Sequence, residues 1–372
     1  LNGDSTGETT SPVKNLEGNY IYQENDKEIE MLNVYYWINY LYDFYLKNYD
    51  MPNGTESEKE KFYGVNFITT YKGNQFANQA AYTPIFDPLN NGAKRPSFLF
   101  SPGSDVRKPT ALCADAIFHE FNHWVTDRIT SMGDNLEARA LHEGYSDFFA
   151  VSITNNPQLY KYFVLGSELT SLRDISKGDK YRKPIPATLM DVYALSGTWS
   201  HALWQSRKTI SEIYTKFQIN NEETNSLFTE GGELFTRVAH KSRFFLDDST
   251  NDMRSAYEAL LNADEQLYKA KHQIKIIETL QEKGFTVIGA EKTEDLNPVS
   301  AISAPKKCYL NFNNKLDGSY SFTEINGKKE PALSFFWEVV EKPEASKFQI
   351  QDPFLSNFNF IPDITGIYKI QL

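Results

Sequence analysis

The sequence predicts an α+β protein: a mostly helical domain with a small sheet near its N-terminal end, followed by a small all-β domain. In segments between residues 31 and 284, apolar residues recur at helical spacing. Short strand-like runs broken by Gly, Asn and Pro interrupt this pattern between Phe62 and Phe100. After Pro298, apolar and polar residues alternate in short runs separated by Asn-Asn, Asp-Gly and Asn-Gly, which is typical of a small antiparallel sandwich.

The composition is that of an ordered globular chain. Of its 372 residues, 40% are hydrophobic and 14% are aromatic, and this length allows two or three domains. The formal net charge is -11 and no basic run is present, so nucleic acid and anionic membrane surfaces are poor candidate partners. The sequence carries no signal for an oligomeric state.

Cysteine usage and hydropathy restrict the class further. The two cysteines, Cys113 and Cys308, fall in different predicted domains, so a disulfide framework does not stabilise the chain. No run of about 18 apolar residues is present, which predicts that no segment spans a membrane. No signal peptide is visible, and because the chain opens on Leu1 we expect an N-terminal segment to have been removed.

The N-terminal third combines one helix with the small sheet. Residues 1–30 are polar and predict a flexible lead-in, and Met31–Asn48 predicts a buried amphipathic helix. An extended peptide can add to the edge of a sheet through main-chain hydrogen bonds. An edge strand of this sheet is therefore a candidate binding site for the substrate. Its predicted strands are Val65–Tyr71, Gln79–Tyr82 and Ser97–Phe100.

The remaining chain predicts a series of helices and then the β domain. The predicted helices are Pro109–Ile129, Leu136–Ile153, Ser196–Phe217, 224–245, 252–268 and 269–284. The stretch Glu291–Pro305 predicts a linker, which places the helical domain at 31–295 and the β domain at 303–372. The predicted β runs are Cys308–Phe312, Leu333–Val340 and Gly366–Leu372.

The strongest chemical signal is a His-Glu-x-x-His motif formed by His119, Glu120 and His123. Residues four apart share one face of a helix, so both imidazoles can reach one metal ion. Glu120 then lies beside that ion, where its carboxylate can take a proton from a metal-bound water. Catalytic zinc requires a third protein ligand and an open position, and Glu143 is the candidate ligand.

The residues around the motif make a chance match less probable than a metal site. Apolar residues flank it, which predicts a buried helix, and two histidines with a glutamate are costly there unless a metal or a partner satisfies them. Asp147 lies one turn after Glu143 and can fix the tautomer of a ligating histidine. The flanking residues are Ile117, Phe118, Phe121, Trp124 and Val125.

With both segments identified, the chain resembles the thermolysin-like and fungalysin-like zinc metallopeptidases. Glu143 follows His123 by 20 residues and Asp147 follows Glu143 by 4, as in the family pattern. The run Glu-Gly-Tyr-Ser-Asp-Phe-Phe-Ala at 143–150 is especially similar to the fungalysin form. The resemblance implies one zinc ion bound by His119, His123 and Glu143, with Glu120 as the general base and Asp147 orienting His119.

Weaker matches extend the resemblance from about residue 31 to 285. The segment Asn78-Gln-Ala-Ala81 resembles the strand that binds the peptide backbone, which implies substrate contacts at Asn78 and Ala80. Leu172-Arg-Asp-Ile-Ser176 resembles a Leu-Arg-x-x-Ser segment whose arginine binds a substrate carbonyl. Arg173 is the residue implied, and a surface arginine in a loop is the alternative.

The chain departs from the family pattern at the residue that stabilises the oxyanion. The family has a histidine there, whereas the segment Val192-Tyr-Ala-Leu-Ser-Gly197 places Tyr193 at that position. A tyrosine hydroxyl can also donate to an oxyanion. His201, eight residues further on, is the other candidate donor, and a structural role for His201 is the alternative.

Two further comparisons concern calcium and the C-terminal segment. Asp115 matches a calcium-ligand position of thermolysin, but the acidic cluster that should accompany it is replaced by Thr154 and Asn155, so we do not expect that calcium site. We expect the Asp115 carboxylate to interact with the N-terminus of its helix instead. Residues 336–340 and 360–370 resemble a PKD-like, immunoglobulin-like module. Such modules follow the catalytic domain in secreted peptidases, which implies an extracytoplasmic protein.

The sequence therefore predicts a zinc-dependent endopeptidase that acts on peptides or proteins. A catalytically weakened or inactive peptidase fold that only binds its partner is the alternative, because Tyr193 replaces the family histidine. A peptidase that trims chain ends is a third possibility. It would require an acidic anchor for a free amine near the cleft. An apolar specificity pocket formed by Ile117, Phe118 and Leu172 is a further hypothesis.

Overall fold

The structure is a computed structural model of the 372-residue chain. Its contacts divide the chain into two compact units: Leu1–Trp204 with Leu246–Met253, and Gln205–Phe245 with Arg254–Leu372. The residues that the structure describes are 28–49, 66–68, 79–86, 94–104, 107–161, 172–181, 189–217, 230–246, 252–285, 299–325, 328–332 and 335–372.

The first unit contains the longest buried stretches of the chain. Its helices are α1 (Glu28–Asn48), α2 (Ala114–Ile129), α3 (Leu136–Thr154) and the first half of α4 (Leu189–Phe217). The core forms where apolar faces of α1, α2 and α3 meet the central strand of the sheet, and Tyr45 of α1 donates its hydroxyl to Asn122 of α2. Its fully buried members include Ile38, Leu41, Phe98, Ile117, Phe121, Val125 and Val151.

The sheet of the first unit has three strands in the order β1-β3-β2. The strands are β1 (Asn66–Ile68), β2 (Ala80–Phe86) and β3 (Lys94–Phe100). β1 runs parallel to β3, and β2 runs antiparallel to β3, with Ala80 opposite Phe100 and Tyr82 opposite Phe98. β2 is therefore an edge strand of the described sheet, which fits the prediction of an edge near Gln79–Tyr82. A two-residue pair, β4 (Gln158–Leu159) with β5 (Arg173–Asp174), lies after α3.

The ends of α2 and α3 follow from their sequences. A 3₁₀ turn, Thr110–Leu112, precedes α2, so α2 begins at Ala114 rather than at Pro109 as predicted. Asn135 caps α3 because its side chain accepts the Ala138 N–H at 2.9 Å. α3 ends at Thr154, and its C-cap residue, Asn155, has a left-handed φ of 51° that stops the helix.

The second unit combines helices with short strands. Its helices are the end of α4, α5 (Glu230–Ser242), α6 (Met253–Tyr268) and α7 (Gln273–Glu282). Buried Asp264 accepts the His272 Nδ1–H at 2.6 Å, and the other ring nitrogen of His272 lies 2.9 Å from the Tyr214 hydroxyl. The Phe354 ring packs 5.0 Å from the His272 ring, which joins the strand segment to the helices of this unit.

The described strands of the second unit are β6 (Asn314–Asp317), β7 (Phe322–Ile325), β8 (Lys328–Pro331), β9 (Glu338–Glu341), β10 (Asn357–Phe360) and β11 (Lys369–Gln371). They form three separate antiparallel pairs, β10–β6, β11–β9 and β7–β8. Trp337 is fully buried in a cluster with residues of β6, β9, β10 and β11, and it donates its indole N–H to the Leu355 carbonyl. The predicted strand Cys308–Phe312 is instead a turn, in which Asn311 has a left-handed φ of 59°.

The α+β class is confirmed, and it includes the predicted C-terminal strands. Within 299–325, 328–332 and 335–372, two-stranded pairs stand where a sandwich requires two packed sheets, so the PKD-like module stays a prediction. α1 begins at Glu28 and α4 begins at Leu189, both earlier than predicted. None of the helices in the described ranges is both long enough and apolar enough to cross a membrane.

Candidate metal centre

α2 holds His119 and His123 side by side at the base of a cleft of about 770 Å³. The two rings are nearly perpendicular, at 81°, and their Nε2 atoms are 3.0 Å apart. Both side chains are buried, because the helix packs its apolar residues into the core on either side of them. The four-residue spacing therefore aims two imidazole lone pairs at one point.

α3 supplies the third group of the centre. Glu143 Oε2 lies 3.3 Å from His119 Nε2, and Glu143 Oε1 lies 3.5 Å from His123 Nε2. An ion with tetrahedral bonds of about 2.0–2.2 Å separates its ligand atoms by about 3.3–3.6 Å. The two carboxylate–imidazole separations fall in this range and the two Nε2 atoms lie slightly closer, so the donor set of two imidazoles and one carboxylate fits a zinc ion with a fourth position toward the cleft.

Behind His119 lies a buried carboxylate that is itself paired. Asp147 Oδ1 is 2.8 Å from His119 Nδ1, and Arg173 Nη1 donates to Oδ1 at 2.7 Å and to Oδ2 at 2.8 Å. Burial alone would raise the pKa of Asp147, but the Arg173 guanidinium lowers it. For His119, burial acts in the opposite direction and lowers the pKa. The negative charges of Asp147 and Glu143 outweigh burial and raise this pKa to about 10.

Glu120 lies on the same helix and faces the cleft. Its side chain is buried, and burial raises its pKa to about 7. The backbone N–H of Tyr82, on the edge strand β2, donates to its carboxylate. A carboxyl group with a pKa near neutrality, beside the metal ligands and next to the edge strand, has the properties of a general base.

These observations agree with the family comparison. The model of the fungalysin metallopeptidase family (M36) matches residues 4–288. The chain belongs to this family. Among solved structures, it is similar to the precursor of protealysin, a metalloproteinase from Serratia proteamaculans, with 15% identity and a TM-score of 0.49. That match covers 73% of this chain and 84% of the other. No curated protein is similar enough in sequence to count as a match.

In this fungalysin-family chain, Arg173 is clamped between two tyrosine rings. Its guanidinium carbon lies 5.5 Å from the Tyr160 ring centroid and 5.2 Å from that of Tyr193. The Arg173 side chain is 32% exposed and lines the cleft. The structure thus places Arg173 at the site, where it pairs with Asp147. Substrate binding by Arg173 stays a prediction.

The two candidate oxyanion donors occupy different positions. Tyr193 lies in the first turns of α4, is 51% exposed and lines the cleft. His201 is buried on the same helix, where its Nδ1 lies 2.9 Å from the Ile175 carbonyl and its ring packs on Gly178. His201 is not among the residues that line the cleft. It holds the loop that carries Arg173, so Tyr193 is the better placed candidate.

A glycine allows α4 to approach the centre closely. A Cβ atom at Gly144 would lie 2.9 Å from Trp199 Cδ1 and 3.0 Å from the Ser196 carbonyl oxygen. Any larger residue beside Glu143 would push α4 away from α3. Tyr193, one turn before Ser196 on α4, lines the same cleft as Glu143.

Asp115 has a structural partner on each carboxylate oxygen. Oδ1 accepts the Cys113 thiol at 2.8 Å, and Oδ2 accepts the Tyr160 N–H. Tyr160 has a left-handed φ of 61°, and its ring lines the cleft. The Asp115 carboxylate therefore holds Tyr160 in a conformation that a non-glycine residue seldom adopts. Asp115 lies in the first turn of α2, as predicted.

The other predicted substrate contacts have mixed outcomes. Ala80 lies on β2 and lines the cleft, whereas Asn78 lies outside the described residues. Leu172 also lines the cleft. The hypothesis that Ile117 and Phe118 form an apolar pocket is wrong, because both point into the core on the opposite face of α2.

Four residues near the centre were not predicted as site residues. Tyr82, Asp127, His142 and Tyr160 all line the cleft. Two of them left a signal in the sequence, since Asp127 follows His123 by four residues and His142 precedes Glu143 directly. Polar residues this close to the ligands in sequence are candidates for hydrogen bonds that support them.

Proposed function

We propose that this fungalysin-family metallopeptidase is a secreted, zinc-dependent endopeptidase. The observation that carries the proposal is the convergence of His119, His123 and Glu143 with Glu120 beside them. Zinc, when bound there, supplies a positive charge that acidifies a water and polarises a carbonyl oxygen. The remaining steps belong to side chains and backbone groups of the chain itself.

Glu120 is proposed to move the proton. Its carboxylate takes a proton from the attacking water and passes it to the leaving amine, so it must be ionised when the reaction begins. Burial raises its pKa to about 7, which makes it a stronger base than an exposed glutamate. Its hydrogen bond from the Tyr82 N–H orients the carboxylate toward the cleft.

The edge strand and the arginine are proposed to hold the substrate. Ala80 and Ala81 of β2 and Gln79 just before it line the cleft, so an extended peptide can pair with β2, an edge strand of the described sheet. An N–H group on the exposed edge of Arg173 can donate to a substrate carbonyl, and the Tyr193 hydroxyl can donate to the oxyanion. Both groups lie on the same wall, since the Tyr193 ring packs on Arg173.

An endopeptidase is favoured over a peptidase that trims ends. An enzyme that binds a free amine requires an acidic anchor, and two aspartates line the described part of the cleft. Asp127 lies 2.9 Å from His142 Nε2, and Asp134 accepts from Arg139 at 2.6 Å. Because both carboxylates already have partners, the cleft is better suited to the interior of a peptide chain.

The test is the variant Glu120→Gln, with casein and a fluorogenic peptide as substrates. We expect it to bind one zinc per chain, as wild type does, and to lose peptide cleavage, because glutamine cannot accept the proton. Zinc content by mass spectrometry and cleavage rate are measured on the same sample. Cleavage at the wild-type rate would refute the mechanism.

The alternative, a fold that binds without cleaving, makes the opposite prediction for wild type. The replacement of the family histidine by Tyr193 is the observation in its favour. Wild type would then bind a full equivalent of zinc and cleave no member of a broad peptide library. Glu120 argues for turnover, since a binding protein has no use for a buried carboxylate beside the ligands.

A further inference from the structure

His123 has a support of its own, which differs from the carboxylate behind His119. Its Nδ1 faces Nδ1 of His142, a neighbour of Glu143 on α3, at hydrogen-bond distance. The two rings are inclined by only 20° and their centroids are 4.6 Å apart, so they meet edge to edge. A second histidine therefore occupies the place where a metal-ligating histidine needs an acceptor.

The chain of contacts continues away from the ligands. Nε2 of His142 lies 2.9 Å from Asp127 Oδ1, one turn beyond His123 on α2. Asp127 also accepts the hydroxyl of Tyr82, which lies on the edge strand. The path thus runs from His123 through His142 and Asp127 to the strand whose backbone contacts Glu120.

One arrangement of protons satisfies every contact in this path. A neutral His123 that offers its Nε2 lone pair to a metal carries its proton on Nδ1, and it donates that proton to His142 Nδ1. His142 then carries its own proton on Nε2 and donates it to Asp127. The carboxylate accepts both this proton and the Tyr82 hydroxyl. The opposite tautomer of His142 would place two N–H groups against each other.

We infer that His142, Asp127 and Tyr82 form a positioning relay, which fixes the tautomer and ring orientation of His123 for metal binding. The inference rests on the proposed zinc site and extends it to residues that do not touch the metal. The relay also ties the ligand to the edge strand, so the strand that would bind substrate and the metal centre are held by one set of hydrogen bonds.

The structure provides a matched set of variants at His142. The side-chain oxygen of asparagine is as many bonds from Cα as the histidine Nδ1, so His142→Asn keeps an acceptor for His123 and loses the link to Asp127. His142→Gln places its amide one bond further, where it can reach Asp127 but not His123. His142→Ala loses both contacts.

The readout is the rate at which zinc leaves the loaded protein in the presence of a chromogenic chelator. Loss of an outer hydrogen-bond partner typically costs about 10- to 100-fold in metal affinity. We expect release to be about 10- to 100-fold faster for His142→Ala and for His142→Gln. His142→Asn is expected to release zinc within a few-fold of wild type, and Asp127→Asn and Tyr82→Phe to show smaller increases.

Each outcome decides the inference. Release from His142→Ala at the wild-type rate would overturn it, and so would rescue by glutamine rather than asparagine. If the alanine variant fails to fold, the asparagine and glutamine variants still give the comparison. Zinc content and peptide cleavage of wild type are measured in parallel. If wild type binds no zinc, both proposals fail, whereas a loaded, active wild type with unaffected variants overturns the relay alone.

Discussion

The two histidine ligands are supported in different ways. His119 is backed directly by Asp147, a fully buried carboxylate that also pairs with Arg173. His123 is backed by His142 and then by Asp127, whose side chain is 45% exposed. Behind His119 a buried carboxylate contacts the ring directly. Behind His123 a neutral histidine lies between the ring and a carboxylate that is exposed to solvent.

This difference predicts an unequal distribution of stability and function. A buried ion pair leaves a costly unpaired charge when one partner is removed, whereas an exposed pair contributes little. Arg173, which pairs with Asp147 behind His119, also forms part of the cleft wall, because the Tyr193 ring packs on it. We therefore expect changes at Asp147 to affect folding and catalysis together, and changes at Asp127 to affect mainly the retention of zinc.

The largest expected effect is that of Asp147→Asn on the metal-free protein. The variant leaves the largely buried Arg173 guanidinium without the carboxylate that it pairs with, so the free energy of unfolding should fall by about 3 kcal/mol. Urea denaturation followed by circular dichroism measures this change. Asp127→Asn is the matched control, with an expected loss below about 1 kcal/mol. Equal losses for the two variants would remove the distinction between the supports.

Tyr193→Phe is the next test, because it keeps the ring on Arg173 and removes only the hydroxyl. If this hydroxyl donates to the oxyanion, kcat should fall by about 100-fold while KM and zinc retention stay near wild type. Steady-state kinetics with a fluorogenic peptide measures the change. His201→Gln is the comparison, and a larger fall in kcat there than in Tyr193→Phe would assign the donor to His201.

The smallest expected effect is the change in stability of the metal-free protein with pH. Asp147 and Glu143 raise the pKa of His119 from 6.5 to about 10 against the effect of burial, while burial holds the pKa of His123 below its usual value. A raised pKa stabilises the fold below pH 6.5, and this stabilisation is lost as the pH rises through about 10. His123 is neutral throughout that range and contributes no such change.

The thermal midpoint of chelator-treated wild type should therefore fall between pH 6.5 and 10. In Asp147→Asn the fall should be shallower, because the carboxylate that outweighs burial at His119 is gone. A midpoint that rises over this range in wild type would show that His119 is not the protonated group.

Much of the centre could be predicted from local sequence, since its geometry is local. The four-residue spacing of His119 and His123 on α2 requires no knowledge of the fold, and Glu143 and Asp147 share one face of α3 for the same reason. The α+β class followed from hydrophobic periodicity alone. These features depend on helix geometry, which the chain sets within a few residues.

The remaining features depend on contacts between distant segments. His142 meets His123 only because α2 and α3 pack side by side, and no periodicity predicts that pairing. The left-handed Tyr160 is held by Asp115, 45 residues earlier in the chain. Likewise, the parallel pairing of β1 with β3 is a property of the tertiary structure, which alternation of residue types cannot indicate.

X-ray absorption at the zinc edge of the loaded wild-type protein tests the account most directly. We predict one zinc per chain with nitrogen and oxygen neighbours at about 2.0–2.2 Å and the scattering pattern of two imidazoles. The signal of one imidazole should disappear in His123→Ala. A sulfur neighbour at about 2.3 Å, or a spectrum that His123→Ala leaves unchanged, would contradict the assignment.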